Sequence, residues 1–315
     1  MRWRELGSPE ARAVLLIQDE LLSALRDYLR ERGFVEVIPP VIGPTTDPGL
    51  RGAGRFTLSY YGMRFYLMSS IILYKQALVR SVPAIFAVAP SVREEPPETA
   101  LTGRHLTEFR QVDVERAGAT LGEAMSLAEG LVVGSALRVV RERGEELKLL
   151  GREPEIPRLP LPRLDYWEAV DLARGLGAPV RPGEELTWEA ERLISREVGA
   201  CFVVGYPEGA RGFYYRRDPA RPGRLLDFDL LLPEGYGEVA SGGERATDPA
   251  EVEERMRRSG EDPEEYSWYL EMLREGVPPS AGFGVGVERL TAWLCGLESV
   301  ADAVPFPRLA GSWTV

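Results

Sequence analysis

The sequence predicts an α+β protein, and three stretches of the 315-residue chain lead to that prediction. Residues 9–32 carry apolar side chains at helical spacing. Residues 84–115 hold two apolar or alternating segments around a long polar loop, which predicts an antiparallel hairpin. Residues 281–287 alternate glycine with large apolar side chains, so a strand there would have one packed face and one bare face. The bare face could admit a flat ligand, although a bend in a buried strand explains the same pattern.

Local signals set the bounds of the elements. Ser8 can cap the first helix with Pro9 at its first position, and Gly33 ends it. Ser69 and Ser70 predict the cap of a second helix. In chain order the prediction is helix 9–32, strand 34–38, a mobile loop at 45–55, strand 60–67, a helix carrying Lys75 and Gln76, strand 84–90, polar loop 91–108, strand 109–115, helix 121–150, linker 151–162, helices 165–174 and 188–198, strands 201–204, 225–232 and 236–240, a charged helical stretch 248–274, strand 281–287 and helix 288–295.

Composition bounds the class of protein. A hydrophobic content of 44% is enough to bury a sizeable core, and the net charge of −11 argues against a non-specific nucleic-acid binder. No apolar run is long enough to span a bilayer and the first residues lead into no signal-type block, so a cytoplasmic protein is expected. Cys201 and Cys295 stand alone and are expected to be buried thiols. Scarce lysine, absent asparagine and abundant arginine suit a thermophile.

Polar side chains of two kinds interrupt the predicted strands. Cations can meet a polyphosphate, and the carboxylates Asp229 and Glu238, on successive strands, can hold a hard divalent ion. Together they predict a nucleotide site, with surface salt bridges as the alternative for any single residue. The cations in question are Arg93, Arg104, His105 and Arg289.

Three ordered motifs then point to a family. They are residues 33–40, residues 86–95 joined to 104–115, and residues 282–290, followed by Phe306-Pro-Arg308 near the end. In this order they resemble the catalytic core of class II aminoacyl-tRNA synthetases, in particular the aspartyl/asparaginyl branch. The resemblance implies an antiparallel β-sheet flanked by helices. It also implies a homodimer formed through the helix and strand of the first motif, with Pro40 packing across the interface.

The resemblance implies a role for individual residues. Arg93 would bind the α-phosphate of ATP and, with Arg289, carry catalysis, while Glu95 would lie near the adenine. Arg104, His105 and Arg289 would bind the outer phosphates, and Phe109 would stack on adenine. Magnesium would be bound by Glu238, Ser241 and Asp229, although residues 233–235 lengthen the turn before Glu238. The aspartate-binding residues implied are Asp47, Lys75, Gln111, Asp113, Ser241 and Arg245.

The substrate expected from this set is L-aspartate. Asp113 corresponds to the carboxylate that receives the amino group, and Lys75 with Arg245 corresponds to the pair that holds the side-chain carboxylate. Two cations favour an acid over a neutral amide, which would leave one charge poorly compensated. One departure from the family is Ile72, which stands where a polar residue usually contacts the amino acid.

The expected function follows from the segment before the first motif. Aspartyl- and asparaginyl-tRNA synthetases place an anticodon-binding barrel of roughly a hundred residues there, whereas here the first helix begins by residue 9. We therefore expect residues 1–315 to form a single catalytic domain without that barrel, and we do not expect tRNA as a partner. The expected activity resembles archaeal asparagine synthetase, an AMP-forming aspartate-ammonia ligase that uses ATP, Mg²⁺ and free ammonia. One alternative is a truncated synthetase that transfers activated aspartate to tRNA or protein, and another is a non-catalytic amino-acid-sensing module.

Overall fold

A mixed eight-stranded β-sheet forms the centre of the fold in the computed structural model, which describes residues 4–48 and 52–312. Its strands are β1 (Val35–Glu36), β5 (Ala84–Val92), β6 (Glu108–Ala117), β7 (Arg163–Asp165), β8 (Cys201–Val204), β9 (Asp227–Leu232), β10 (Gly237–Glu244) and β11 (Ser280–Gly286). A second sheet contains β2 (Ile42–Gly43), β3 (Thr57–Tyr60) and β4 (Met63–Leu67).

The large sheet has the strand order β1-β5-β6-β11-β10-β9-β8-β7. Its inner pairs are antiparallel, whereas the outermost pairs, β1 with β5 and β7 with β8, are parallel. The small sheet has the order β2-β4-β3 and is antiparallel. The predicted α+β class and the largely antiparallel sheet are confirmed.

Nine α-helices are found in the described part of the chain. They are α1 (Pro9–Arg30), α2 (Ile72–Leu78), α3 (Leu121–Glu142), α4 (Gly144–Leu149), α5 (Tyr166–Gly175), α6 (Trp188–Glu197), α7 (Pro249–Arg258), α8 (Ser267–Glu275) and α9 (Val287–Cys295). Short 3₁₀ turns lie at Pro97–Leu101, Glu208–Ala210, Pro263–Tyr266 and Val300–Ala303.

Helices α1, α3 and α9 pack against the large sheet. The apolar stripe of α1 is fully buried at Ile17, Leu21 and Leu25, and it joins Phe283 of β11 and Trp293 of α9 in one core. The start of α1 matches the predicted cap, since Ser8 Oγ accepts the N–H of Ala11 at 3.1 Å. The glycine-rich strand is thus held from behind by the main core, which leaves its other face for the polar side chains described below.

Several bounds differ from the prediction, each for a local reason. The helix predicted over 121–150 breaks after Glu142 into α3 and α4, and the stretch 248–274 divides at the 3₁₀ turn that begins with Pro263. The strand predicted at 34–38 keeps only two paired residues because Pro39-Pro40 follows it. Instead of one strand at 60–67, residues 57–67 form a hairpin of β3 and β4 that turns at Tyr61, which has a φ of 51°. Helix α2 begins at Ile72, with Ser70 Oγ accepting the Ile72 N–H at 3.2 Å.

The loop predicted to be mobile is packed over the part that is described. Thr45, Thr46 and Asp47 are buried, and Thr46 Oγ1 lies 2.9 Å from Ser69 Oγ. The prediction of a mobile segment is therefore wrong at these residues, because hydrogen bonds to Ser69 hold the backbone in place. Residues 49–51 of the same loop lie outside the described residues.

Three other expectations concern the two cysteines, membrane-spanning helices and the homodimer. Both thiols are buried, as predicted, and burial raises the pKa of Cys201 and of Cys295 to about 12. Among the described residues, no helix combines the length and apolar character that crossing a membrane requires. The homodimer stays a prediction, and β1 with the residues that follow it leaves Val35 49% and Ile38 99% exposed.

Candidate active site

The register of four adjacent strands places the predicted polar residues in one row. Gly284 of β11 lies opposite Asp113 of β6 on one side and opposite Ser241 of β10 on the other. Ser241 in turn lies opposite Asp229 of β9. Directly opposed residues project to the same face of a sheet, so Asp113, Ser241 and Asp229 share a face across the bare position at Gly284.

Side chains of the neighbouring strand β6 cover part of the bare face of β11, where a ligand surface was expected. A Cβ atom at Gly282 would lie 2.1 Å from Glu115 Oε2, and one at Gly284 would lie 3.0 Å from Gln111 Nε2. These two glycines therefore make room for polar side chains of the neighbouring strand β6. The prediction of a ligand surface along all three glycines is wrong at Gly282, and only Gly286 lines the open cleft.

An open cleft of about 970 Å³ lies beside Gly286. It contains the start of α9, the loop between β5 and β6 and part of β10, so residues far apart in sequence meet there. Nine of the predicted site residues line it: Arg93, Glu95, Arg104, His105, Phe109, Gln111, Glu238, Ser241 and Arg289.

Neighbouring groups hold the cleft cations in place. Arg289 Nη1 donates to the backbone oxygen of Glu238 at 3.1 Å and lies 3.4 Å from its carboxylate. Arg93 Nε donates to the backbone oxygen of Ser69 at 3.2 Å, and its guanidinium lies 5.1 Å from the centre of the Phe109 ring. An anionic, flat ligand would therefore meet guanidinium groups and an aromatic face that are already oriented.

Three carboxylates converge beside the cations. Glu191, Asp229 and Glu238 each offer one oxygen, and these oxygens lie within 4.8 Å of one another. Hard divalent cations such as Mg²⁺ take oxygen ligands, so this donor set fits magnesium. The structure thus brings together two of the predicted metal residues, Asp229 and Glu238, and adds Glu191.

Arg211 is a further cation in this region. It is 8% exposed, and its guanidinium contacts Asp229 at 2.6 Å, Asp227 at 3.1 Å and Glu185 at 2.9 Å. It also lies 3.6 Å from the centre of the Tyr206 ring. A buried charge needs such pairing, and through it Arg211 helps to fix the position of Asp229 in the carboxylate cluster.

A second, buried group of charges lies at the far end of the row. Lys75 Nζ is 2.8 Å from Asp113 Oδ1 and 3.8 Å from Glu115 Oε2. Arg245 donates to Glu115 through Nε at 3.0 Å and through Nη2 at 2.9 Å. The predicted pair of cations does converge, but Glu115 lies between them. The argument that a neutral amide would leave one charge poorly compensated therefore fails, because Asp113 and Glu115 balance the two cations.

Three atoms of the predicted amino-acid site are buried without a hydrogen-bond partner. They are Asp113 Oδ2, Arg245 Nη1 and Asp47 Oδ1. Buried polar atoms are normally satisfied, so two acceptors and one donor in this region suit a small ligand that has an ammonium group and an oxygen acceptor. Burial raises the pKa of Asp47 to about 6, an effect that the nearby Arg93 partly opposes.

Glu288 connects the two cleft motifs. Both of its carboxylate oxygens accept the backbone N–H of Arg110, at 2.9 and 3.0 Å. Burial raises its pKa to about 7. The contact fixes the start of β6, next to Phe109, against the first turn of α9, next to Arg289.

The sequence reasoning missed four of these residues. Glu115 and Glu288 lie inside the quoted motifs, and their acidic character in apolar strands or helices was the available signal. Glu191 and Arg211 lie outside all three motifs, in segments that read as an ordinary charged helix and a loop. Only the packing of α6 against β10, and of the loop before β9 against the sheet, brings them to the site.

A largely antiparallel sheet with a cationic cleft, and with a carboxylate cluster formed by β9, β10 and α6, is the arrangement of a class II synthetase catalytic domain. The chain belongs to the family described as tRNA synthetases class II (D, K and N), which matches residues 1–310. The family that the three motifs indicated is thereby confirmed.

Relatives in this family include asparagine-tRNA ligases. The chain is 35% identical over 314 residues to the asparagine-tRNA ligase of Thermococcus kodakarensis, covering 98% of this chain and 72% of the relative. The crystal structure of asparaginyl-tRNA synthetase from Pyrococcus horikoshii complexed with asparaginyl-adenylate matches with a TM-score of 0.92 and 34% identity, over 99% of this chain and 72% of that one. Aspartyl-tRNA synthetase from Entamoeba histolytica matches with a TM-score of 0.84 and 26% identity, over 100% of this chain and 62% of that one.

These relatives contradict two expectations. An ammonia-dependent asparagine synthetase was expected, but proteins 33–35% identical over nearly the whole chain are named asparagine-tRNA ligases. The expectation that tRNA is not a partner is wrong on the same finding. It relied on the expected lack of an anticodon-binding barrel and on a net charge of −11, and that charge describes the whole chain and not the surface that would meet tRNA. The single catalytic domain without an anticodon-binding barrel stays a prediction.

Proposed function

We propose that this chain is an aminoacyl-tRNA ligase that activates a four-carbon amino acid with ATP and transfers it to tRNA. The observation that carries the proposal is the row formed by Asp113, Gly284, Ser241 and Asp229, which joins a buried group of charges to a cationic cleft. Sequence identity of 35% with an asparagine-tRNA ligase across 98% of the chain supports it.

The cleft residues would bind the nucleotide. Arg93, Arg104 and Arg289 would meet the phosphates, and Phe109 offers an aromatic face to the base. Asp229 and Glu238, with Glu191 beside them, would hold Mg²⁺, and the bound ion would neutralise charge on the phosphate oxygens. Oriented donors around the α-phosphate stabilise the charge that builds there during transfer.

The buried group would bind the amino acid. Asp113 Oδ2 and Asp47 Oδ1 are available to accept hydrogen bonds from its ammonium group, and Arg245 Nη1 is available to donate to a side-chain oxygen. An α-carboxylate oxygen then attacks the α-phosphorus of ATP and diphosphate leaves. A ribose hydroxyl at the 3′ end of tRNA next attacks the carbonyl carbon of the adenylate, and AMP leaves.

Asparagine is the first candidate for the amino acid. The two cations and two carboxylates of Lys75, Arg245, Asp113 and Glu115 balance before any substrate enters, and a neutral amide preserves that balance. Aspartate is the second candidate. It is favoured by the convergence of Lys75 and Arg245 on one carboxylate, since a substrate carboxylate could take part of the contact that Glu115 now makes.

Amino-acid-dependent exchange of diphosphate into ATP tests the first step. We expect exchange with asparagine, or with aspartate for the second candidate, and attachment of the same amino acid to a matching tRNA transcript. Exchange with neither amino acid would contradict the proposal. So would free asparagine made from aspartate, ATP and ammonium without tRNA.

The variant Asp113→Asn tests the assigned pocket. Its amide keeps the shape of the side chain but removes the charge that would meet the ammonium group, so the KM for the amino acid should rise at least tenfold, given about 1.5–3 kcal/mol for a charged hydrogen bond. The KM for ATP should stay within twofold. Asp171→Asn, on an exposed position of α5, is the matched control. Equal KM values in the two variants would remove Asp113 from the site.

A further inference from the structure

Helix α6 is attached to the start of strand β10 by two side chains. Ser195 Oγ accepts the backbone N–H of Gly237 at 3.4 Å, and Glu191 Oε2 accepts the N–H of Glu238 at 3.1 Å. Glu191 and Ser195 are both fully buried. The polar face of α6 therefore fixes the backbone at the point where β10 reaches the cleft.

The same oxygen of Glu191 also faces a cleft cation. Arg104 Nη2 lies 3.5 Å from Glu191 Oε2 and donates to the backbone oxygen of Glu238 at 3.3 Å, while Nη1 donates to the backbone oxygen of Tyr236. A Cβ atom at Gly237, whose φ is 62°, would lie 2.6 Å from Arg104 Nη1. Glycine at this position lets the guanidinium lie directly on the β10 backbone.

Glu238 is the point where these contacts meet. Its N–H donates to Glu191, its backbone oxygen accepts from Arg104 and Arg289, and its carboxylate lies 3.4 Å from Arg289 Nη1. The pairing of β10 with β9 is shifted between Glu238 and Ala240, as in a β-bulge, and bulges re-aim a side chain. The orientation of the Glu238 carboxylate thus depends on what holds its backbone.

We infer that Glu191 is a positioning residue for the phosphate-binding side of the cleft. It does not line the cleft itself, but one carboxylate oxygen fixes Arg104 and the Glu238 backbone together, and its oxygen lies within 4.8 Å of the ligand atoms of Asp229 and Glu238. The negative charge of Glu191 therefore keeps the guanidinium of Arg104, which would bind phosphate, at a fixed position relative to Glu238, which would bind the metal. This inference rests on the proposed nucleotide-binding function.

The test is Glu191→Gln, because an amide oxygen can still accept the Glu238 N–H while the negative charge is lost. The measurement is calorimetric titration of the β,γ-methylene analogue of ATP, with and without Mn²⁺, into the whole chain. Loss of a residue that supports metal ligands typically weakens metal binding 10- to 100-fold. We expect E191Q to weaken Mn²⁺-dependent binding of the analogue by at least tenfold, and to raise the KM for ATP while leaving the KM for the amino acid unchanged.

Glu189→Gln is the matched control, since Glu189 lies on the same helix with its side chain 40% exposed, near Arg192. It should bind the analogue and Mn²⁺ like the wild type. Equal titrations for E191Q and E189Q would overturn the inference. A wild-type chain that binds no analogue would instead overturn the proposed function, so the two failures are distinguishable.

Two further variants separate positioning from folding. If E191Q does not fold, Glu191→Asp retains the charge on a shorter side chain, and it should bind the analogue more weakly than the E189Q control. In an Arg104→Met background, E191Q should weaken binding much less than tenfold, because part of its effect passes through Arg104. Full additivity of the two changes, or wild-type binding by E191D, would contradict the assigned role.

Discussion

Replacing Asp47 by Asn should stabilise the protein more at alkaline pH than at acidic pH. Asp47 is 4% exposed, and burial raises its pKa to about 6 from an ordinary value of 3.8. A carboxyl whose folded pKa is raised favours folding most below its unfolded pKa. That contribution is lost as the pH rises from the unfolded value of 3.8 through the folded value, so the cost of a buried Asp47 grows over this range and is complete above about pH 6.

The magnitude follows from the two pKa values. Each pKa unit corresponds to about 1.4 kcal/mol, so the difference of about 2 corresponds to about 3 kcal/mol at pH 8. At pH 5 the folded carboxyl is mostly protonated, and the cost is about half as large. Between pH 5 and pH 8, the wild type should therefore lose about 1.5 kcal/mol relative to D47N.

Urea unfolding of both proteins at pH 5, 6, 7 and 8 measures this difference directly. The control variant D171N removes the charge of an exposed aspartate of α5. Its free energy of unfolding should differ from that of the wild type by the same amount at every pH. A difference between wild type and D47N that does not vary over this pH range would refute the reasoning. D47N should also raise the KM for the amino acid, because the proposed ammonium contact is lost.

Two further predictions concern packing and charge. Gly282→Ala should destabilise the protein by about 1–3 kcal/mol in urea unfolding, because the new Cβ would lie 2.1 Å from Glu115 Oε2. The control Gly122→Ala, whose Cβ would meet nothing within 4 Å, should be neutral or stabilising. Equal free energies of unfolding for the two variants would contradict the packing argument. Arg211→Gln should lower the free energy of unfolding by about 3–5 kcal/mol, because it leaves several buried carboxylates without their cation. Arg216→Gln, at a side chain 52% exposed, should change it by less than 1 kcal/mol, and a similar value for R211Q would show that the buried cation is not needed.

Elements whose ends are set by local chemistry could be predicted from the sequence. Helix α1 begins at Pro9 behind the Ser8 cap, as expected, and α9 follows the glycine strand directly. Helix and strand types were predicted well wherever a periodic segment met proline or glycine at its ends. The division of 121–150 into two helices was missed because one glycine inside a periodic segment, Gly144, does not by itself predict a break.

The site could be predicted only where one motif contained it. Arg93, Phe109 and Arg289 line one cleft as the motifs implied. What lies on the bare face of β11 depends on its register with β6, and no periodicity within β11 reports that register. The compensation of Arg245 by Glu115, 130 positions away, is likewise a product of tertiary pairing.

The two edge strands of the large sheet are very short: β1 has two residues and β7 has three. A sheet can recruit a foreign strand only along a margin with a run of unpaired backbone N–H and C=O groups. The edge strands β1 and β7 offer too few unpaired backbone N–H and C=O groups to hydrogen-bond a long strand of another chain. The large sheet is therefore protected at both of its edges against growth by strand addition.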